Sequence, residues 1–341
     1  MDHERQSLRI GAAAIACALV IRLLAGGILQ PVAAAITNPD VASFLVYLES
    51  GRIVRTAPYA AVNTPEPESH APETTIPSSA PIPTAPEFTA ADLDLIRMRS
   101  YCSYEPDLEA LLTAPLEWDL HTDAPAVLIL HTHTTESYTP TKNSQYEESS
   151  EFRTLDEEYN MLAIGDAVAR ALEEGGISVI HDRTLHDYPS YDGSYEDARQ
   201  AIEDYLTRYP SIRMVLDLHR DAVEVNGGQL DTSATVDGRE SAQIMLVQGC
   251  DAGGLVFPGW QDNMALALKL HAQLERDNPG LTRPISFRSQ RFNLDETSGS
   301  LLIEVGAAGN TLEEALVAAD ALSKGILALA QGANLTTDST N

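Results

Sequence analysis

The sequence predicts an α/β domain built on a mostly parallel sheet with helices on both faces. Three observations predict it. Short runs rich in Val, Ile and Leu, at 127–130, 177–181, 213–218, 243–248 and 301–305, read as buried strands. Longer stretches with apolar residues at helical spacing, at 152–174, 194–209, 260–276 and 311–330, lie among them. Strands that alternate with helices of this length call for crossovers, and so for parallel pairing. The domain they define spans 125–332, an ordinary size for one hydrophobic core.

Each element has its own local warrant. Pro125 precedes the run Val127-Leu128-Ile129-Leu130, and polar residues begin where that run ends. The first helix carries Leu162, Ala163, Val168, Ala169 and Leu172 on one face and stops at Gly175-Gly176. The helix over 194–209 keeps Asp197 and Glu203 on its wet side and ends before Pro210. Residues 227–238 read as a loop or an irregular hairpin. The helix over 260–276 is closed by Asn278-Pro279-Gly280. Thr311 and Glu314 form a capping pair that opens the last helix.

Upstream, the chain is organised differently. Residues 1–9 carry Arg5 and Arg9, and residues 10–29 are almost all apolar apart from Arg22. About 20 apolar residues suffice to span a bilayer. The expectation is a single-pass membrane anchor with residues 1–9 in the cytoplasm and the domain outside the cell. A signal peptide cut near Ala33-Ala34-Ala35 is the alternative. Residues 30–57 form a juxtamembrane segment. Residues 58–87 hold eight prolines among Ala, Thr, Ser and Glu, which makes a semi-rigid linker. Residues 88–124 are a lead-in, with Leu108, Leu111 and Leu112 at helical spacing before Pro115. Residues 333–341 are a disordered tail.

Composition excludes one class of function. The 341-residue chain has 50 acidic and 22 basic residues, for a formal net charge of -28, and no basic cluster. Nucleic acid binding needs cationic surface to neutralise phosphates, so it is excluded. The cysteines are Cys17, Cys102 and Cys250, none in a Cys-x-x-Cys. A cysteine-based zinc site cannot be built from them. Cys102 and Cys250 are read as free and buried, with a disulfide between them as the alternative.

Chemistry gathers at three strand ends. The first carries His131, His133 and Glu136; the second is Asp217-Leu218-His219-Arg220-Asp221; the third is Leu302-Ile303-Glu304-Val305-Gly306. Ligands of open α/β sheets sit at carboxyl ends of strands. A carboxylate inside Leu-Leu-Ile-Glu-Val is costly unless it is paired, metal-bound or catalytic. His133, Glu136 and His219 supply the donor types of a three-ligand catalytic zinc site, with His131 as the alternative ligand. Glu304 is the candidate general base and acid. Arg220 is a candidate for stabilising the oxyanion, and a pair with Glu304 is the bland reading of both. Asp217 alternates with His219 as a second acceptor, and Asp221 is a candidate partner of Arg220. His121, His181, His186 and His271 are read as surface or helix residues. Two other readings of these residues remain open: a zinc carboxypeptidase or endopeptidase using the same metal and base, and a non-catalytic scaffold on a hydrolase fold.

These stretches, His131-Thr132-His133-Thr134-Thr135-Glu136-Ser137-Tyr138, Asp217 to Asp221 and Ile303 to Gly306 with Asn310 to Glu314, resemble the stage II sporulation protein P family. Leu111 to Leu116 fits too, so the resemblance covers about residues 108–330. It implies an exported, membrane-anchored, zinc-dependent N-acetylmuramoyl-L-alanine amidase on a carboxypeptidase-like α/β fold. It further implies peptidoglycan as substrate, associated endopeptidase activity, and action during endospore engulfment with stage II sporulation proteins D and M. In the broader zinc amidases the glutamate ligand lies further on, which makes Glu157 or Glu158 alternatives to Glu136. Ala307-Ala308 departs from the glycine-rich tail expected after Gly306.

Overall fold

The computed structural model describes residues 86–330 apart from 117–118 and 226–227. All lie within one compact unit, Pro77–Asn341. The expected anchor at 10–29, the juxtamembrane segment, nearly all of the linker and the tail fall outside the described residues. Among the described residues no helix is long and apolar enough to cross a membrane.

The strands of the main sheet are β1 (Met98–Ser100), β2 (Val127–Leu130), β3 (Val179–His181), β4 (Met214–Asp221), β9 (Ile244–Gln248), β10 (Ile285–Phe287) and β11 (Gly299–Ala307). Their order is β1-β10-β9-β11-β4-β2-β3. All neighbours pair in parallel except β9 with β11, which pair antiparallel. The sheet is therefore mixed but mostly parallel. Two hairpins, β5 (Glu224–Val225) with β6 (Gly228–Gln229) and β7 (Ser233–Val236) with β8 (Arg239–Ala242), occupy the stretch read as a loop or irregular hairpin. The lead-in supplies an unexpected edge strand, β1, as well as the expected short helix α1 (Leu108–Thr113).

Period-two alternation decides which face each strand residue serves. Val127 and Ile129 join a large core, whereas Leu128 and Leu130 join a second one with Val215, Ala198 and Ile202. Helix α3 (Ser194–Arg208) covers this second face. The large core lies under α2 (Met161–Glu174), α4 (Trp260–Asp277) and α5 (Leu312–Ala330). Asn160 caps α2 by accepting from Leu162 N, so the helix within 152–174 begins where its apolar face begins. Helix α2 packs on α5, and α1 on α4. With both faces covered, β2 is apolar and buried throughout.

The site depends on the central strands. Glu304 stands directly beside His219 in the register of β11 and β4, and Leu130 beside Asp217 in β2 and β4. Their carboxyl ends open towards the same edge because they run in parallel. A register shift follows Glu304, and Gly306 there has φ of 78°. A Cβ at Gly306 would come within 2.7 Å of Ala242 Cβ, so both conformation and space favour glycine.

Candidate active site

Each strand end continues into a segment tied to its neighbour. Thr132 donates from its amide and hydroxyl to Asp217, at 2.8 and 2.6 Å. Tyr138, buried in the core, donates to Val305 O at 2.7 Å and ties the first loop to β11. These ties hold His133 and Glu136 of the first loop against His219 of β4.

The centre is almost sealed from solvent. His133, Glu136, Asp217, His219 and Arg220 are all buried. The His133 and His219 rings meet edge to face with centroids 5.2 Å apart. His219 Nδ1 lies 3.6 Å from Glu136 Oε2, and His219 Nε2 lies 2.9 Å from Asp217 Oδ1. The second contact lacks hydrogen-bond directionality, which leaves His219 Nε2 a buried polar atom without a hydrogen-bond partner. Glu304 Oε2 is likewise buried and unpartnered.

Electrostatics divide the carboxylates into two kinds. Burial alone raises the proton affinity of Glu136, but Arg220 and His219 override it and hold the group well below the usual range. Asp217 is lowered in the same way by His219 and Thr132. Burial would neutralise His219, yet Asp217 and Glu136 raise its pKa well above the ordinary value. Burial drives His133 down to about 4. Glu304 is pushed up to about 8, mainly by burial and further by Asp221 and Glu136, against His219 and Arg220. One carboxyl thus holds a proton near neutral pH beside others that do not, the division expected of an acid–base group among binding groups.

The structure places the remaining residues as follows. Arg220 donates from Nε to Ser137 O at 2.9 Å and from Nη2 to Phe152 O at 2.7 Å. Its Nη1 lies 3.6 Å from Glu136, so the guanidinium braces Glu136 and the first loop. Asp221 pairs with Arg283 at 2.7 Å and not with Arg220. His131 is bonded through both ring nitrogens, to Leu218 O and to His181. Glu157 sits in a surface pair with Arg183, and Glu158 is exposed. His181 and His186 are not surface residues: His181 lies against His131, and His186 is buried on Asp182 at 2.8 Å. His271 is buried in α4, and Cys102 and Cys250 are free thiols.

Four site residues escaped the sequence reading. Arg153 bonds Asp187 and reaches Glu136 at 3.2 Å. Tyr191 stacks on His133 with centroids 4.5 Å apart and places its hydroxyl 3.1 Å from Nε2. Ser194 Oγ lies 3.3 Å from His133 Nδ1, and Tyr195 meets the same ring edge to face. They come from loops and a helix start, where no periodic pattern marks them.

The chemistry of the donors suits a cation. Two imidazoles and a carboxylate of zinc-ligand type lie together, with His133 hydrogen-bonded to Tyr191 and Ser194 and His219 set between Glu136 and Asp217. Among the described residues, no group of three or more His, Cys, Asp or Glu side chains is arranged so that it could hold a metal ion.

The fold and site define an α/β protein with a buried histidine–carboxylate centre at the carboxyl ends of adjacent parallel strands. The chain belongs to the stage II sporulation protein P family, whose model matches residues 62–327. A curated relative, stage II sporulation protein P of Bacillus subtilis (strain 168), is 30% identical over 212 residues. The match covers 58% of this chain and 49% of the relative, so it spans about half that protein's length. Two solved structures are similar over part of the chain. N-acetylmuramoyl-L-alanine amidase AmiC2 of Nostoc punctiforme is 15% identical at a TM-score of 0.36, covering 59% of this chain and 95% of its own. N-acetylmuramoyl-L-alanine amidase from Clostridium difficile 630 is 18% identical at a TM-score of 0.34, covering 60% and 94%.

Proposed function

We propose that this chain is a zinc-dependent peptidoglycan hydrolase, an N-acetylmuramoyl-L-alanine amidase. It acts on the septal wall during engulfment and is held at the membrane by residues 10–29. One observation supports this above the others. In a chain of this family, three strand ends bring His133, Glu136, His219 and Glu304 to one centre that leaves Glu304 Oε2 buried without a hydrogen-bond partner.

His133, Glu136 and His219 would hold the zinc. A bound zinc ion supplies positive charge that acidifies water, polarises a carbonyl and favours ionised Glu304. The chain's own groups do the rest. Glu304, ionised, takes a proton from the attacking water at its carboxylate oxygen and returns it to the leaving nitrogen. Arg153 and Arg220 hold Glu136, and Asp217 orients His219 from the other side. Burial of the centre excludes bulk water from the reacting atoms. Stage II sporulation proteins D and M are the partners this family reading brings with it.

The test combines zinc content with digestion of purified sacculi. His133→Ala and His219→Ala should lose zinc and activity together. Products with free glycan chains and intact stem peptides mean an amidase; shortened or uncoupled stem peptides mean a carboxypeptidase or endopeptidase. Wild-type protein that binds no zinc and releases nothing would make the chain a scaffold.

A further inference from the structure

A second cleft opens at the other edge of the main sheet. Strands β1, β10 and β9 are parallel to one another, and β9 runs against β11. Their carboxyl ends therefore face away from the histidine–carboxylate centre, which lies at the carboxyl ends of β2, β4 and β11. Carboxyl ends of strands are where ligands of α/β sheets sit. The segments that leave β1 and β9 there run to the starts of α1 and α4 and enclose about 670 Å³. That volume lies within the range of small-molecule clefts, about 300–1,000 Å³.

The apolar part of the cleft is an aromatic stack. Tyr104 lies on Trp260, with ring centroids 5.7 Å and planes 25° apart. Trp260 in turn packs on the buried Phe287, with centroids 5.4 Å apart. Trp260 is 7% exposed and Tyr104 37%, so the stack presents one tyrosine to the cleft and roots it in the core. A ring held in place this way offers apolar surface to a ligand at little cost in side-chain entropy.

The groups around the ring form hydrogen bonds. Ser103, Glu105, Asp107, Asp251 and Gln261 line the cleft, and among the described residues no lysine, arginine or histidine does. The Tyr104 hydroxyl turns to the Asp251 carboxylate, which raises its pKa. Asp251 Oδ1 is out of solvent with no hydrogen-bond partner. Asp107 accepts from Ala110 N of α1 at 3.0 Å, and Glu105 is exposed.

These features select the ligand. Three carboxylates without a counter-charge disfavour an anion. A cation would meet one exposed charge and two already engaged, and exposed pairs contribute little and are screened by salt. A neutral polyhydroxylated ligand uses all that is present. Its hydroxyls donate to carboxylates, which makes the stronger kind of hydrogen bond, while its C–H face lies on the tyrosine ring.

We propose that the cleft between the β1–α1 and β9–α4 connections is a saccharide-binding site, with Tyr104 as the stacking platform and Asp251 and Glu105 as acceptors for sugar hydroxyls. The site is separate from the candidate active site and goes beyond the hydrolase reading. It holds a glycan at one edge of the sheet, apart from the bond cleaved at the other.

The probe is the β-linked tetramer of N-acetylglucosamine, titrated calorimetrically into the full chain, with saturation-transfer NMR on the sugar. Wild type should bind it with an affinity nearly unchanged between about 0.05 and 0.5 M salt. Tyr104→Ala should weaken binding about tenfold or more, whereas Tyr104→Phe keeps the ring and should stay within about threefold. Asp251→Ala should also lose about tenfold or more, and Asp251→Asn, which keeps one acceptor, should fall between it and wild type. His219→Ala, at the other edge of the sheet, should bind as wild type does. Wild type that does not bind the tetramer, or Tyr104→Ala and Asp251→Ala that bind it unchanged, overturns the proposal. A tetra-lysine peptide that binds where the sugar does not, and is released by salt, makes the cleft a cation site and overturns it too. If His219→Ala loses the sugar, the ligand sits in the catalytic centre and the proposal falls. No readout here needs zinc or turnover, so failure of this proposal leaves the hydrolase reading to its own test.

Discussion

Replacing Glu304 by Gln should make the metal-free protein more stable and the enzyme nearly inactive. Glu304 stands half-buried in β11 beside His219 with its Oε2 out of solvent, and its carboxyl is pushed up from 4.5 to about 8. An unfolded chain ionises this group above its ordinary pKa, whereas the folded chain keeps it protonated. Between those values the folded state binds the extra proton, so stability falls as pH rises. At about 1.4 kcal/mol per pKa unit, the loss is about 3 kcal/mol by pH 7 and about 5 kcal/mol from pH 8 upward. Gln keeps the shape without the titration. Glu304→Gln should therefore match wild type below about pH 4.5 and exceed it by those amounts at higher pH. The assay is urea unfolding in the presence of a chelator across this range. Sacculus digestion by the zinc-loaded variant should drop by about 100- to 10,000-fold, the usual contribution of general acid–base catalysis. A stability difference that does not change with pH would refute the reasoning about burial. Near-normal digestion would remove Glu304 from proton transfer.

Two further substitutions probe the scaffold. Lys269 in α4 is buried, donates to Leu112 O, and lies 5.1 Å from the Phe88 ring, and burial lowers its pKa from 10.5 to about 8. The unfolded chain keeps this proton longer, so stability rises with pH between those values. Lys269→Met should raise stability by about 1–2 kcal/mol below pH 8, after allowing for the lost hydrogen bond. That gain should vanish near pH 10.5, and thermal melts at three pH values will show whether it does. Asn310 is fully buried and its side chain serves Thr232, Ala307, Asp231 and Glu314 at 2.9–3.3 Å. Asn310→Ala strands several of these groups beside the β11 bulge and should cost about 3 kcal/mol or more in urea unfolding.

The sequence by itself determined where the polar cluster of the candidate site begins. Val127 to Leu130, Met214 to Leu218 and Leu301 to Val305 are local apolar runs, and His133, His219 and Glu304 stand where each run turns polar or breaks its own pattern. Burial on both faces of a sheet writes that signal into neighbouring residues. The main helices were legible for the same reason, since the large apolar face of α2 and the Thr311–Glu314 cap are local too. Only the tertiary structure decided the rest. The antiparallel direction of β9, and the use of Met98–Ser100 as an edge strand, depend on partners far away in sequence. Arg153, Asp187 and Tyr191 reach the site from loops with no periodic pattern. His131 and His133 each have both ring nitrogens hydrogen-bonded, and what separates them is that the His133 ring lies against His219 while His131 turns to His181. Asp221 stood next to Arg220 in sequence yet turned to Arg283, because adjacent residues on a strand point to opposite faces. Strand ends are fixed by short-range burial. Hydrogen-bond partners are fixed by which distant segments the completed sheet brings into reach, and no local stretch of sequence encodes that.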